Sequence, residues 1–150
     1  MQLAMERILY PSPGPSEAVS EPRLNIAVIF TSVDATLAAL RMAGGLAGGW
    51  SAQITIVVPQ VVPYPLPLAS PPVRVDFNER RLHEIAARSP VETTVSVYLC
   101  RDREETLVSV LKPGTVVVLG GKKRWWPTAE GRLARLLERA GHEVLFARTE

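Results

Sequence analysis

The chain has 150 residues, 47% of them hydrophobic and 21% charged, with a formal net charge of +2. That is enough material for one domain with a core of its own, and a charge this weak does not by itself imply nucleic acid. A single cysteine, Cys100, excludes an intramolecular disulfide. No Cys/His cluster has metal-ligand spacing, and no apolar run is long enough to cross a bilayer.

Residues 1–22 read as an N-terminal extension, broken by Pro11, Pro13, Pro15 and Pro22, with residues 23–150 as one α/β domain. The first ten residues carry Glu6 and Arg7 and lack the apolar core of a secretory signal, so the cytoplasm is the expected location. Leu3, Met5, Ile8, Leu9 and Tyr10 are apolar enough to dock as a short strand on this or a neighbouring subunit. Residues 24–30 (LNIAVIF) form the first strand of the domain. A turn through Thr31, Ser32, Val33 and Asp34 leads into a helix capped by Ser32 or Asp34, with Leu37, Leu40, Met42, Ala43 and Ala47 inward. Gly44, Gly45, Gly48 and Gly49 cost this helix about 1 kcal/mol each against alanine. Residues 51–58 form the second strand, ending at Val58.

Residues 59–72 hold six prolines and favour an extended path. A stiff surface connection explains them more simply than a ligand for a proline-binding module. A second helix starts at Asp76 or Asn78, runs to about Ser89, and buries Leu82, Ile85 and Ala86. His83 lies on its charged face. Residues 92–99 alternate polar and apolar, the pattern of an edge or half-exposed strand. Asp102 and Glu105 have capping-box spacing ahead of a short helix burying Leu107, Val108 and Leu111. Cys100 has no histidine partner and reads as a half-buried, inert thiol.

Pro113-Gly114 precedes a buried strand, residues 115–119, which Gly120-Gly121 end. A helix follows from near Thr128, with Leu133, Leu136, Leu137 and Ala140 in one stripe and Gly141 as left-handed cap. Residues 142–148 make the last strand, with His142 at the amino edge. The loop from Gly120 to Thr128 lies at the carboxyl edge of the sheet, where open α/β sheets bind ligands. Its Lys122-Lys123-Arg124-Trp125-Trp126 run would hold a phosphate and stack on a base, or else the tryptophans cover the sheet edge or a subunit interface.

Five strands alternating with four helices define a single doubly wound α/β fold. This layout resembles the universal stress protein family over about residues 23–148. Two segments carry the resemblance: residues 25–47 (NIAVIFTSVDATLAALRMAGGLA), and the strand, glycine loop, helix and strand of residues 115–147. It implies a five-stranded parallel sheet of order 3-2-1-4-5 with helices on both faces, and a homodimer formed through the final strand. Nucleotide-binding members carry Gly-x-x-Gly, nine residues, then Gly-Ser or Gly-Thr, so that backbone amides and a hydroxyl reach the phosphates. Here Gly120 matches the first glycine, but the second falls at Lys123. Gly121 and Gly131 keep the nine-residue gap, yet Arg132 stands where a hydroxyl belongs. The aspartate that such members place at the end of the first strand is Thr31.

These departures point to a non-catalytic stress-response or regulatory binding module, without conventional ATP binding and with no required cofactor. The alternative is a divergent ATP- or AMP-binding protein using the loop from Gly120 to Arg132. Its candidate contacts are Thr31, Ser32, Asp34 and Val58 beside Gly120, Gly121, Lys122, Lys123, Gly131 and Arg132. A third and weaker reading, nucleic-acid binding through the basic loop, predicts a steep loss of affinity with salt.

Overall fold

β-Branched runs such as Ile54-Thr55-Ile56-Val57 and Val116-Val117-Val118 are stiff at χ1 and pack well on a pleated surface. In the computed structural model they lie in interior strands of one sheet. Residues 4–8, 24–47, 52–62, 64, 75–89, 93–121 and 129–149 are described. The elements are β1 (Ala4–Ile8), β2 (Leu24–Ile29), α1 (Val33–Ala47), β3 (Ala52–Val61), α2 (Val75–Ala87), β4 (Thr93–Cys100), α3 (Arg103–Val110), β5 (Val116–Gly121), α4 (Ala129–Arg139) and β6 (Glu143–Arg148).

The strands run in the order β1-β4-β3-β2-β5-β6. Counted from β2, this is the expected five-stranded parallel sheet of order 3-2-1-4-5 with its four helices. The sixth strand comes from the N-terminal extension. β1 pairs antiparallel with β4, Ala4 opposite Cys100 and Ile8 opposite Ser96. Each face of the sheet has its own core. Ile26, Val28, Ile54, Ile56, Val95 and Val97 pack under α1 and α2 with Leu40, Leu82 and Ile85. Ala27, Ile29, Val117 and Leu119 pack under α3 and α4 with Leu107, Leu133 and Leu137.

Three helix termini follow from their sequences. Ser32 caps α1: its Oγ accepts from Ala35 N at 3.2 Å and its carbonyl from Thr36 N at 2.9 Å. Asp102 caps α3, with Oδ1 accepting from Glu105 N at 3.0 Å. α4 ends at Gly141, whose φ of 99° is left-handed. Gly141 N donates to Glu138 O and His142 N to Leu137 O, the paired bonds of a Schellman motif.

Several expectations need correction. β3 continues past Val58 through Pro59 to Val61. Its proline is tolerated because β2 pairs with β3 only as far as Val57, leaving one side of β3 free of a ladder there. β4 is neither an edge nor half exposed. β1 and β3 flank it, and Thr94 and Ser96 are only 8% and 7% exposed. Cys100 is fully rather than half buried. Gly120 and Gly121 do not end the fifth strand early but belong to β5, opposite Ala147 and Arg148. Val108 lies on the outer side of α3 and is exposed. Ala140 sits past the last turn of α4 and is exposed, and Ala134 takes its place in the buried stripe.

Candidate functional site at the carboxyl edge

The carboxyl ends of β2 and β5 meet the first turn of α1. Phe30 N donates to Val57 O at 2.9 Å, holding the end of β2 against β3. The chain then turns through Thr31 and Ser32 into α1. Gly120 is where β5 and α1 touch. A Cβ there would fall on the Ala35 carbonyl oxygen and within 2.6 Å and 2.8 Å of its C and Cα. Only glycine permits this approach. A Cβ at Gly121 would lie 2.8 Å from Phe146 Cζ, the movable end of a side chain. Thr149 N closes the unit by donating to Gly121 O at 2.9 Å.

Of the ten candidates, the structure brings Thr31, Ser32 and Gly120 to this edge. Ser32 is engaged as a cap and Asp34 is exposed. Val58 is buried in the α1/α2 core. Gly121 lies beside Phe146, while Gly131 and the exposed Arg132 sit in the first turns of α4. Lys122 and Lys123, with Arg124, Trp125 and Trp126, lie outside the described residues.

Sequence reasoning missed two residues. Among the described residues, the buried side-chain N and O atoms without a hydrogen-bond partner are Thr31 Oγ1, Thr36 Oγ1, and Arg103 Nε and Nη2. All three residues stand on the carboxyl side of the sheet: Thr31 after β2, Thr36 in the first turns of α1, Arg103 directly after β4. A buried hydroxyl or N–H group without a partner costs roughly 1–3 kcal/mol. The neighbouring arginine is satisfied. Arg101 Nη1 donates to Val62 O at 2.8 Å, and its guanidinium lies 4.2 Å from the centroid of the Tyr64 ring. In sequence Arg103 is one more charge at a helix start and Thr36 one small residue in an Ala/Leu-rich helix, so neither gives a signal.

Groups suited to covalent or acid–base chemistry lie elsewhere. Burial pushes the Cys100 thiol up, against the lowering effect of a Thr106 hydrogen bond, and its Sγ lies 3.8 Å from Gln60 O. That is the opposite of an activated nucleophile. His142 is buried at the amino edge, with Nδ1 3.1 Å from Thr115 O. His83 is exposed on α2. No group of three His, Cys, Asp or Glu among the described residues could hold a metal ion. No helix among them is long and apolar enough to cross a membrane.

A doubly wound α/β sheet with its crevice at the β2/β5 switch point defines the architecture. Comparison with solved structures then gives its particular form. The structure of a universal stress protein from Archaeoglobus fulgidus superposes with a TM-score of 0.61 at 15% identity, covering 83% of this chain and 93% of that one. A universal stress protein solved in complex with cAMP superposes with a TM-score of 0.51 at 17% identity, covering 87% of this chain and 100% of that one. The chain therefore has the universal-stress-protein fold, in a form far diverged in sequence. No protein-family model matches the sequence, and no curated protein matches it.

Proposed function

We propose that the protein is a non-catalytic regulatory binding module of the universal-stress-protein type. It works in the cytoplasm as a homodimer, needs no cofactor, and signals by occupancy rather than by chemistry. The observation that carries this is the carboxyl edge itself. It carries the unpartnered buried hydroxyls of Thr31 and Thr36 and two unpartnered nitrogens of Arg103, Nε and Nη2, while the buried thiol is held in its unreactive form. Such an edge is equipped to hold a polar group and not to move a proton. Dimer formation is supported by β6, which among the described residues pairs only with β5 and so presents a strand edge of the kind proteins cover. Sedimentation or light scattering across a concentration series tests it, and a monomer at all concentrations overturns it.

A second reading is favoured by the same orphan atoms: a divergent nucleotide site. The solved neighbour that carries cAMP has this fold, and Arg103 would supply the charge for a phosphate that the altered glycine motif does not. Calorimetric titration with ATP–Mg²⁺, AMP and cAMP separates the two, together with acid extraction of the purified protein. Bound nucleotide or micromolar affinity, lost in Arg103→Ala and in the Lys122→Ala/Lys123→Ala variant, establishes the nucleotide site. No nucleotide and no heat up to millimolar leaves the module that binds a partner.

A further inference from the structure

The two faces of the sheet differ in a way the carboxyl-edge site does not use. Toward α1 and α2, β3 and β4 present Ile54, Ile56, Val95 and Val97. Strand side chains alternate, so the opposite face of the same strands carries Gln53, Thr55, Thr94 and Ser96. α3 rests on β3 and β4 and touches α4. Its eight residues extend only about 12 Å, against the roughly 26 Å spanned by the eight residues of β4. Among the described residues no element covers the amino half of this face, which holds a cavity of about 590 Å³, within the usual size range of small-molecule pockets.

We propose that this cavity, on the α3/α4 face at the amino half of β2, β3 and β4, binds a small neutral polyhydroxylated molecule, a monosaccharide or cyclitol. The lining chemistry selects this class. Asn25, Gln53, Thr55, Thr94 and Ser96 line it, each able both to donate and to accept, as a hydroxyl ligand also does. Thr55 Oγ1 and Thr94 Oγ1 lie 3.1 Å apart, which fixes two of these hydroxyls side by side across neighbouring strands. The described lining residues include no carboxylate to hold a cation, and Lys112 is their one cation, which disfavours a multiply charged anion. An apolar ligand would displace water from these polar groups and offer no hydrogen bond in return. Ala27 and Val57 give an apolar floor, and the half-buried Tyr98 supplies a ring against which the C–H face of a sugar can lie. The site is separate from the carboxyl edge, so its failure leaves the proposed function untouched.

The test is a titration of the ¹⁵N-labelled full chain with myo-inositol and D-glucose, followed by amide chemical shifts. The expected result is saturable movement of the Asn25 and Gln53 side-chain amides and of the Thr94 and Ser96 backbone amides, with millimolar or tighter affinity. Thr55→Val, which keeps the side-chain shape, and Ser96→Ala, which shortens it, should each weaken binding at least tenfold while the spectrum stays folded. The proposal is overturned by an absence of saturable shifts with either probe, or by shifts confined to Thr31 and Gly120. Affinity unchanged in a folded Thr55→Val or Ser96→Ala variant overturns it too. Movement of the lining residues with protein concentration alone would place a second copy there and also overturn it.

Discussion

Replacing Gly120 with alanine tests the contact on which the carboxyl edge is built. The new Cβ meets backbone atoms of Ala35, 2.6 Å from its carbonyl carbon, and backbone cannot rotate away as a side chain can. Restoring an ordinary separation of about 3.4 Å from the carbonyl oxygen, the nearest atom, requires α1 to retreat by more than about 1 Å, which loosens the fully or nearly fully buried Ala35, Ala38 and Ala39 from the sheet. Overpacking of this kind costs typically 1–3 kcal/mol, and a contact with no flexible partner belongs at the upper end, about 3 kcal/mol. For a chain of this size each kcal/mol lowers Tm by about 2–4 °C, so a fall of roughly 6–12 °C is expected. Gly121→Ala is the control. Its obstacle is the tip of the half-buried Phe146 ring, which can tilt, and its cost should stay below about 1 kcal/mol. Urea unfolding followed by circular dichroism reads both variants. If Gly120→Ala unfolds within about 0.5 kcal/mol of wild type, α1 does not press on β5 as described and the crevice is built otherwise.

Gly45 lies inside α1, and a Cβ there meets nothing within 4 Å, so Gly45→Ala should stabilise the protein by about 0.5–1 kcal/mol in the same assay. Gly141→Ala should destabilise it by about 1 kcal/mol or more, because φ of 99° is strained for any side chain. Thr36→Val replaces an unpartnered buried hydroxyl with a methyl of the same shape. It should raise unliganded stability by roughly 1 kcal/mol while weakening any ligand held at the carboxyl edge, as calorimetry would show. Cys100 should resist Ellman's reagent at pH 8 until the chain is unfolded. Its thiol is pushed up by burial, so the neutral form stabilises the fold below the ordinary thiol range, and that stability is lost as pH rises through the elevated folded value. The wild type should therefore lose stability relative to Cys100→Ala in alkaline solution, measured by unfolding at successive pH values.

Most of the fold could be read from local chemistry. The apolar runs of β2, β3 and β5, the Asp102 cap and the glycine at 141 each act over a few residues, and each appears where the spacing puts it, although β3 and β5 run past their expected ends. What escaped was non-local. The alternation of β4 identified its polar side, but whether Thr94 and Ser96 face water depends on what lies over that side, and no residue within β4 encodes it. β1 pairs with a strand far along the chain, and its own five residues name no partner. At the carboxyl edge, Thr31 and Gly120 were legible because position after a strand is a sequence property. Thr36 and Arg103 were not, because lacking a partner is a property of three-dimensional surroundings.

The antiparallel strand at the sheet's margin has a consequence in time. Ile8 is opposite Ser96 and Ala4 opposite Cys100, so these residues have no template until β4 has been made. At ribosomal speeds of about 5–20 residues per second, the wait is roughly 4–19 seconds. The β-α-β succession of β2, α1 and β3 can meanwhile assemble from neighbours in sequence. The earliest of the described residues to be synthesised are thus among the last able to dock, and β4 emerges with a vacant margin that this chain's own beginning is already present to fill.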